Sequence, residues 1–274
     1  MVCLVNASRH FPVRKSLLFL KSLLFSALLL GAFTMSARAA HLVFLIGEDE
    51  YHTWETLPEF AKKDLEPLGH RITILQADAA DKNHFPGIVE ALRDADLLFL
   101  SVRRRTPPVA ELEAVRAFLA AGRPLVGIRT ASHSFALRPT DKLADSKLAV
   151  WPEFDAVVLG GHYTGHHGKD KVAVTFAPGA EKHPILAGIA PGALLGNGGL
   201  YKNAPLEKTA TPLLIGTIPE QAPEPIGWTH LQGAKQGRVF YTSLGHPDDF
   251  ENPAFRRLLL NGVAWALGGQ AAGK

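Results

Sequence analysis

Two apolar runs in this chain end in polar segments. Gly127-Ile128-Arg129-Thr130-Ala131-Ser132-His133 follows Pro124-Leu125-Val126, and Leu244-Gly245-His246-Pro247-Asp248 follows the run from Arg238 to Ser243. An α/β fold places its chemistry where strands stop. Pro247 disfavours helical geometry at His246, so the imidazole is expected at the carboxyl edge of a sheet. With Asp248 two residues on, it suits a general base near neutral pH; the same pair would also serve to bond a turn and cap the last helix. Arg129 and His133 share one turn, with Thr130 and Ser132 between them as further ligand contacts. A guanidinium there can clamp a carboxylate or fix sugar hydroxyls, but it is no nucleophile. Read structurally, Arg129 is half of a buried ion pair and Ser132 a helix cap. A Ser-His-Asp hydrolase built on Ser132 lacks the Gly-x-Ser-x-Gly pattern.

Three further segments carry reactive side chains. Gly160-Gly161-His162-Tyr163-Thr164-Gly165-His166-His167-Gly168 holds three histidines in a glycine-rich setting. His162 and His166 have the i, i+4 spacing of a helical ligand pair, but four glycines argue for a loop. Such a loop fits a substrate lid, with His166 and His167 as donors or acid-base groups, better than a zinc cage of His162, His166 and His167. After the first apolar run come Glu48, Tyr51 and His52, and after the third Arg103-Arg104-Arg105. Both loops are expected at the same crevice, where the cations suit an anionic or polyhydroxylated ligand or pair with Glu48 to Glu50. Trp228 offers a flat face for a sugar ring; Trp151 and Trp265 are expected in the core.

The elements that must position these residues follow from periodicity. Leu42 to Ile46, Arg71 to Leu75, Leu97 to Val102 and Leu125 to Ile128 are apolar runs of strand length. Between them, Thr56 to Leu65, Ile88 to Leu92 and Val109 to Ala121 have helical spacing, the last with Pro108 at its start and Gly122 after its end. This alternation predicts a doubly wound, mainly parallel sheet with helices on both faces. In the less regular second half, Val172 to Phe176, Pro212 to Ile218, Pro225 to Thr229 and Arg238 to Ser243 are expected to extend the sheet. Pro253 to Leu267 closes the chain as an amphipathic helix.

The first 39 residues have basic residues, the apolar run Leu23 to Leu30 and the small-x-small site Ala37-Arg38-Ala39. This is the layout of a secretory signal peptide cleaved before Ala40, with an apolar run shorter than the ~20 residues a membrane span needs. Removing it takes five of the 29 Lys and Arg and none of the 26 Asp and Glu, so the formal charge goes from +3 to −2. The basic balance of the whole chain is therefore no argument for nucleic acid or anionic lipid. Expected are a periplasmic or secreted product, a single domain over residues 40–274, and no stable membrane anchor after cleavage. An oligomer is compatible with the sequence. The only cysteine, Cys3, leaves with the leader.

The segments from Gly127 to His133, Trp151-Pro152-Glu153-Phe154, His183-Pro184-Ile185-Leu186 and Gly237 to His246 resemble the ThuA-like, or trehalose-utilisation, family, from about His41 to Leu267. The resemblance implies a class I glutamine amidotransferase-like fold, a flavodoxin-like three-layer sandwich, and action on sugars or their oxidised derivatives. Many members of that family have His where this chain has Arg129, so no role of that His carries over. The turn after Val126 has the rhythm of the elbow on which amidotransferases present a cysteine. With no cysteine there, amidotransferase chemistry is excluded. The expected function is an acid-base hydrolase, lyase or isomerase of a small carbohydrate, with no cofactor. The alternatives are a non-catalytic sugar-binding module and a zinc-dependent hydrolase using the histidine-rich loop.

Overall fold

The run His41-Leu42-Val43-Phe44-Leu45-Ile46-Gly47 is buried from end to end because its residues face two cores in turn. Leu42, Phe44 and Ile46 join one apolar cluster, and Val43 and Leu45 join the other. A strand covered on both faces has no need of polar alternation. The computed structural model describes residues 1–3, 39–168 and 170–269; of the expected leader, residues 4–38 lie outside these. Every element named below lies in the unit Ala37–Lys274.

In chain order the elements are β1 (His41–Gly47), α1 (Thr53–Phe60), β2 (Arg71–Gln76), α2 (Ile88–Asp94), β3 (Leu97–Val102), α3 (Val109–Ala120), β4 (Leu125–Ile128), β5 (Gly165–His167), β6 (Val172–Phe176), β7 (Leu195–Gly196), β8 (Leu200–Lys202), β9 (Ala210–Thr217), β10 (Glu224–Gln232), β11 (Gly237–Thr242), α4 (Pro247–Phe250) and α5 (Pro253–Ala266). A nine-stranded sheet runs β2-β1-β3-β4-β11-β10-β9-β6-β7. From β2 to β11 neighbouring strands are parallel. From β11 to β7 they are antiparallel. The sheet is therefore mixed, more so than the mainly parallel expectation. The second half connects its strands without helical crossovers, which only antiparallel neighbours permit.

The helices feed the two cores separately. Leu57 and Phe60 of α1 and Phe255, Leu258 and Leu259 of α5 pack into the first. Ile88 and Leu92 of α2 and Leu112, Val115 and Phe118 of α3 pack into the second. Helix α1 begins at Thr53, three residues before the expected start, because the Glu48 carboxylate supplies an acceptor for the Thr53 N–H. It continues through a π turn, Ala61–Leu65, and a 3-10 turn, Glu66–Leu68, to Gly69, whose φ of +87° ends it. Outside the main sheet, β5 and β8 form a two-stranded ribbon pairing His166 with Tyr201, where a plain loop was expected. Among the described residues no helix is long and apolar enough to cross a membrane.

Candidate functional site

Strand order reverses between β1 and β3, and at such a point the loops leaving the carboxyl ends separate and open a crevice. Four adjacent parallel strands deliver the candidate residues there. Glu48 to His52 follow β1, Arg103 to Arg105 follow β3, a 3-10 turn Arg129–His133 follows β4, and Ser243 to His246 follow β11. The β3 and β4 loops are tied together, the Arg104 and Arg105 N–H groups donating to the carbonyls of His133 and Ser134. Glu48 organises the first loop from beneath. It is buried, and its carboxylate accepts from the N–H groups of Glu50, Tyr51 and Thr53 and from the Thr53 hydroxyl at 2.6 to 2.8 Å. With the Thr53 proton so committed, Ser101 donates to the Thr53 oxygen at 2.9 Å. Expected as a ligand contact, Glu48 has no free acceptor facing the cleft and holds Tyr51 in place.

Arg129 occupies the elbow with φ of +46°, a conformation that costs a non-glycine residue energy and recurs at functional turns. Its side chain is 2% exposed. Nη1 donates to the carbonyl of Ser243 at 2.7 Å and of Gly199 at 3.4 Å, and Nη2 donates to the Tyr51 hydroxyl at 3.3 Å. The guanidinium lies 4.5 Å from the ring centre of Tyr51 and 4.4 Å from that of Tyr201, a double cation–π contact. Burial acts against its charge, but the oxygens of Tyr201 and Tyr51 raise its pKa on balance, so it is a permanent cation. No carboxylate pairs with it among the described residues, so the ion-pair alternative is not realised, and Nε has no hydrogen-bond partner there. The Arg129 carbonyl accepts from the Tyr241 hydroxyl at 2.7 Å.

His133 stands beside this cation. Its ring stacks on Tyr163 at 4.4 Å, and Nδ1 is 3.0 Å from the Ser132 hydroxyl. Burial first, and then the charges of Arg104, Arg103, Arg129 and Arg138, hold its pKa well below the usual imidazole value. The ring is neutral at physiological pH. Tyr163 also meets Tyr201 at 4.7 Å, and Tyr201 meets His166 at 6.3 Å. Burial raises the pKa values of Tyr163, Tyr201 and Tyr241, so these phenols remain protonated.

His246 completes the ring of side chains from the other side, 6.2 Å centre to centre from Tyr51. It is the N-cap of α4, and its Nδ1 accepts the Asp248 N–H at 3.2 Å. That bond favours the tautomer with its proton on Nε2. The Asp248 carboxylate, 3.6 Å from the same nitrogen and 71% exposed, favours the opposite one. Capping and acid-base chemistry thus fall on one imidazole. The backbone around it is fixed by Asp249, whose buried carboxylate accepts from Gly245 N, His246 N, Asn197 N and Asn197 Nδ2 at 2.8 to 3.0 Å.

Other candidates lie elsewhere or have other partners. Trp228 is fully buried, its indole N–H donating to Leu159 O at 2.6 Å and its ring 4.6 Å from Tyr241, so it supports the site from the core and offers no face to a sugar. Thr130 and Ser132 are buried in the 3-10 turn. Arg103 pairs with Glu50 at 2.9 Å, and His52 stacks on Trp54 at 4.6 Å, outside the ring of tyrosines. His162 faces Pro205 O and Glu207 rather than the other histidines, while His166 and His167 sit on β5. Among the described residues no group of three or more His, Cys, Asp or Glu is placed to hold a metal ion.

Sequence reasoning missed Tyr163, Tyr201, Tyr241, Asp155 and Asp249. One signal was available: the chain has four tyrosines in 274 residues, and all four gather around Arg129 and His133. Asp155, in a π turn spanning Asp155–Leu159, accepts the Tyr163 N–H at 2.6 Å, while its backbone carbonyl accepts from Gly160 and Gly161. Burial raises its pKa from 3.8 to about 7. The assembly has a neutral imidazole, a second, partly exposed imidazole, protonated phenols and a fixed cation, the parts for moving a proton on a ligand whose developing negative charge is stabilised.

Comparison with known proteins agrees with this architecture. A structure of a ThuA-like protein from Parabacteroides merdae superimposes with a TM-score of 0.57 at 14% identity, covering 86% of this chain and 93% of that one. The mmIFT52 N-terminal domain superimposes with a TM-score of 0.53 at 14% identity, covering 86% and 100%. At such identities the likeness is one of fold. No curated protein matches in sequence. The family model for ThuA, described as trehalose utilisation, matches residues 51–266, and the chain therefore belongs to the ThuA family.

Proposed function

We propose that the carboxyl edge of β1, β3, β4 and β11 is the active site of an exported enzyme that acts on a small carbohydrate or an oxidised sugar by acid-base chemistry. The observation that carries this reading is the gathering of Tyr51, Tyr163, Tyr201, Arg129, His133 and His246 at one strand-end crevice, with Tyr241 anchoring Arg129 from the core. Aromatic faces with polar rims suit sugars, which present apolar C–H faces and hydroxyl edges. His246 is assigned proton transfer, through Nε2 on its partly exposed ring, and Arg129 stabilises negative charge on the ligand. His133, with Ser132 at Nδ1, serves as a neutral donor or acceptor. The order β2-β1-β3-β4 and the two separate cores support a doubly wound, three-layer reading of the parallel half.

The occupation of the elbow by an arginine favours a second reading, a sugar-binding module that has no nucleophile. A thermal-shift screen of the chain from Ala40 onward against sugars and their keto derivatives identifies ligands. Mass analysis of the incubated ligand then separates the two readings. His246→Ala is expected to lower turnover by at least ~10²-fold with ligand affinity retained. An unchanged rate removes His246 from the chemistry, and binding without product selects the module.

A further inference from the structure

Arg129 is a buried cation for which the described residues provide no counter-charge. Arg104 is second in this respect. It is half-buried, has φ of +51°, makes a side-chain bond to Ala136 O at 3.3 Å and has no carboxylate in ion-pair range. Its neighbours differ: Arg103 pairs with Glu50 and Arg105 with Asp49. The loop after β3 thus neutralises its outer two guanidiniums and leaves the middle one unpaired. The backbone bond from Arg104 N to His133 O fixes that residue against the β4 turn, beside the ring stacked on Tyr163. Removing a charge from water is costly unless it is paired, and here the compensation is confined to carbonyls, a phenol and two aromatic faces. Among the polar atoms of the site, Arg129 Nε is a buried donor left without an acceptor. All of this lies in a chain whose residues from Ala40 onward have a net formal charge of −2, so the local excess of cations is not a reflection of overall composition.

We propose that the ligand carries an oxyanion, a carboxylate or a phosphate attached to the sugar, received between Arg104 and the Tyr51 and His133 side of Arg129. The inference rests on the sugar-site reading above and narrows it to acidic sugars. Arg104, half-exposed, meets the anion directly. Arg129, behind Tyr51 and Tyr201, provides the field that favours it. Burial of His133 beside four arginines keeps its ring uncharged, so it donates or accepts a hydrogen bond without adding a further titrating cation.

The test is calorimetric titration of the chain from Ala40 onward with D-glucose, D-gluconate, D-glucuronate, glucose 6-phosphate, sodium acetate and inorganic phosphate, at 20 mM and 500 mM sodium chloride. The expected result is that an acidic sugar binds at least about tenfold tighter than glucose in low salt, with the advantage shrinking in high salt. Tighter binding of gluconate or glucuronate identifies a carboxylate, and of glucose 6-phosphate a phosphate. Arg104→Gln, at a half-exposed position, is expected to fold and to erase most of that ratio. Glucose binding as tightly as its acids, or an unaltered ratio in Arg104→Gln, overturns the anion inference and leaves the sugar reading standing. Binding of acetate or phosphate with no discrimination for any sugar overturns the sugar reading instead. Binding of none of the six overturns the inference.

Discussion

Asp155 makes the stability of this protein depend on pH in an unusual direction. Its carboxyl is 9% exposed, has one N–H donor, from Tyr163, and its Oδ1 is without a partner among the described residues. Burial lifts its pKa from 3.8 to about 7. A folded-state pKa above the unfolded one means that folding takes up a proton between the two values. The stabilisation is complete below about pH 4 and is lost as pH rises through 7. At 1.36 kcal/mol per unit, the three-unit rise corresponds to roughly 4 kcal/mol. Buried His133, His70 and His230 and half-buried His183, whose pKa values burial lowers, act with the opposite sign, adding stability as pH rises toward the ordinary imidazole value. The wild-type profile alone is therefore ambiguous, and the comparison with Asp155→Asn is decisive. Asparagine keeps an acceptor for Tyr163 and cannot ionise. In urea denaturation between pH 4 and pH 8.5, the variant should gain on the wild type by roughly 4 kcal/mol, about 10 °C in Tm. A stability difference that does not change with pH refutes the assignment of a strained buried carboxyl.

Two substitutions test the supports of the site. A β-carbon at Gly198 would lie well inside contact distance of Arg129 Nη2 and Cζ and 3.0 Å from Nη1, and the guanidinium is held by Ser243 O and two tyrosine rings. Gly198→Ala should cost about 1–3 kcal/mol by chemical denaturation and disturb the Arg129 environment, where a surface glycine would cost a few tenths. Asp249→Ala removes the acceptor of four hydrogen bonds and leaves the buried Gly245 donor and the part-buried Asn197 donors without it; a loss of about 3 kcal/mol is expected, together with broadened His246 ring signals in NMR.

The parallel half of the fold was legible because its strands are buried on both faces and their helices carry one apolar stripe. Leu42 to Ile46 and Leu97 to Val102 leave no other reading. The ribbon of β5 and β8 was illegible, since Gly165-His166-His167 and Leu200-Tyr201-Lys202 are too short and too polar to show alternation and pair across more than 30 residues. Arg129, His133 and His246 were visible from their places after apolar runs. Tyr163 and Tyr201 were not, because their contacts depend on that ribbon. Glu48 and Trp228 point to a general confusion: an acid after a strand and an aromatic in a strand look the same whether they face a ligand or hold up the residues that do.

The guanidinium of Arg129 bonds to segments 70, 78 and 114 positions away in the chain. It is consequently a rivet as well as a reagent. Mutational libraries at this position would report folding yield and ligand response in one inseparable signal. Evolution toward a new chemistry on this scaffold is accordingly easier through the outer loops, where Arg104 and His246 can change without unfastening the molecule.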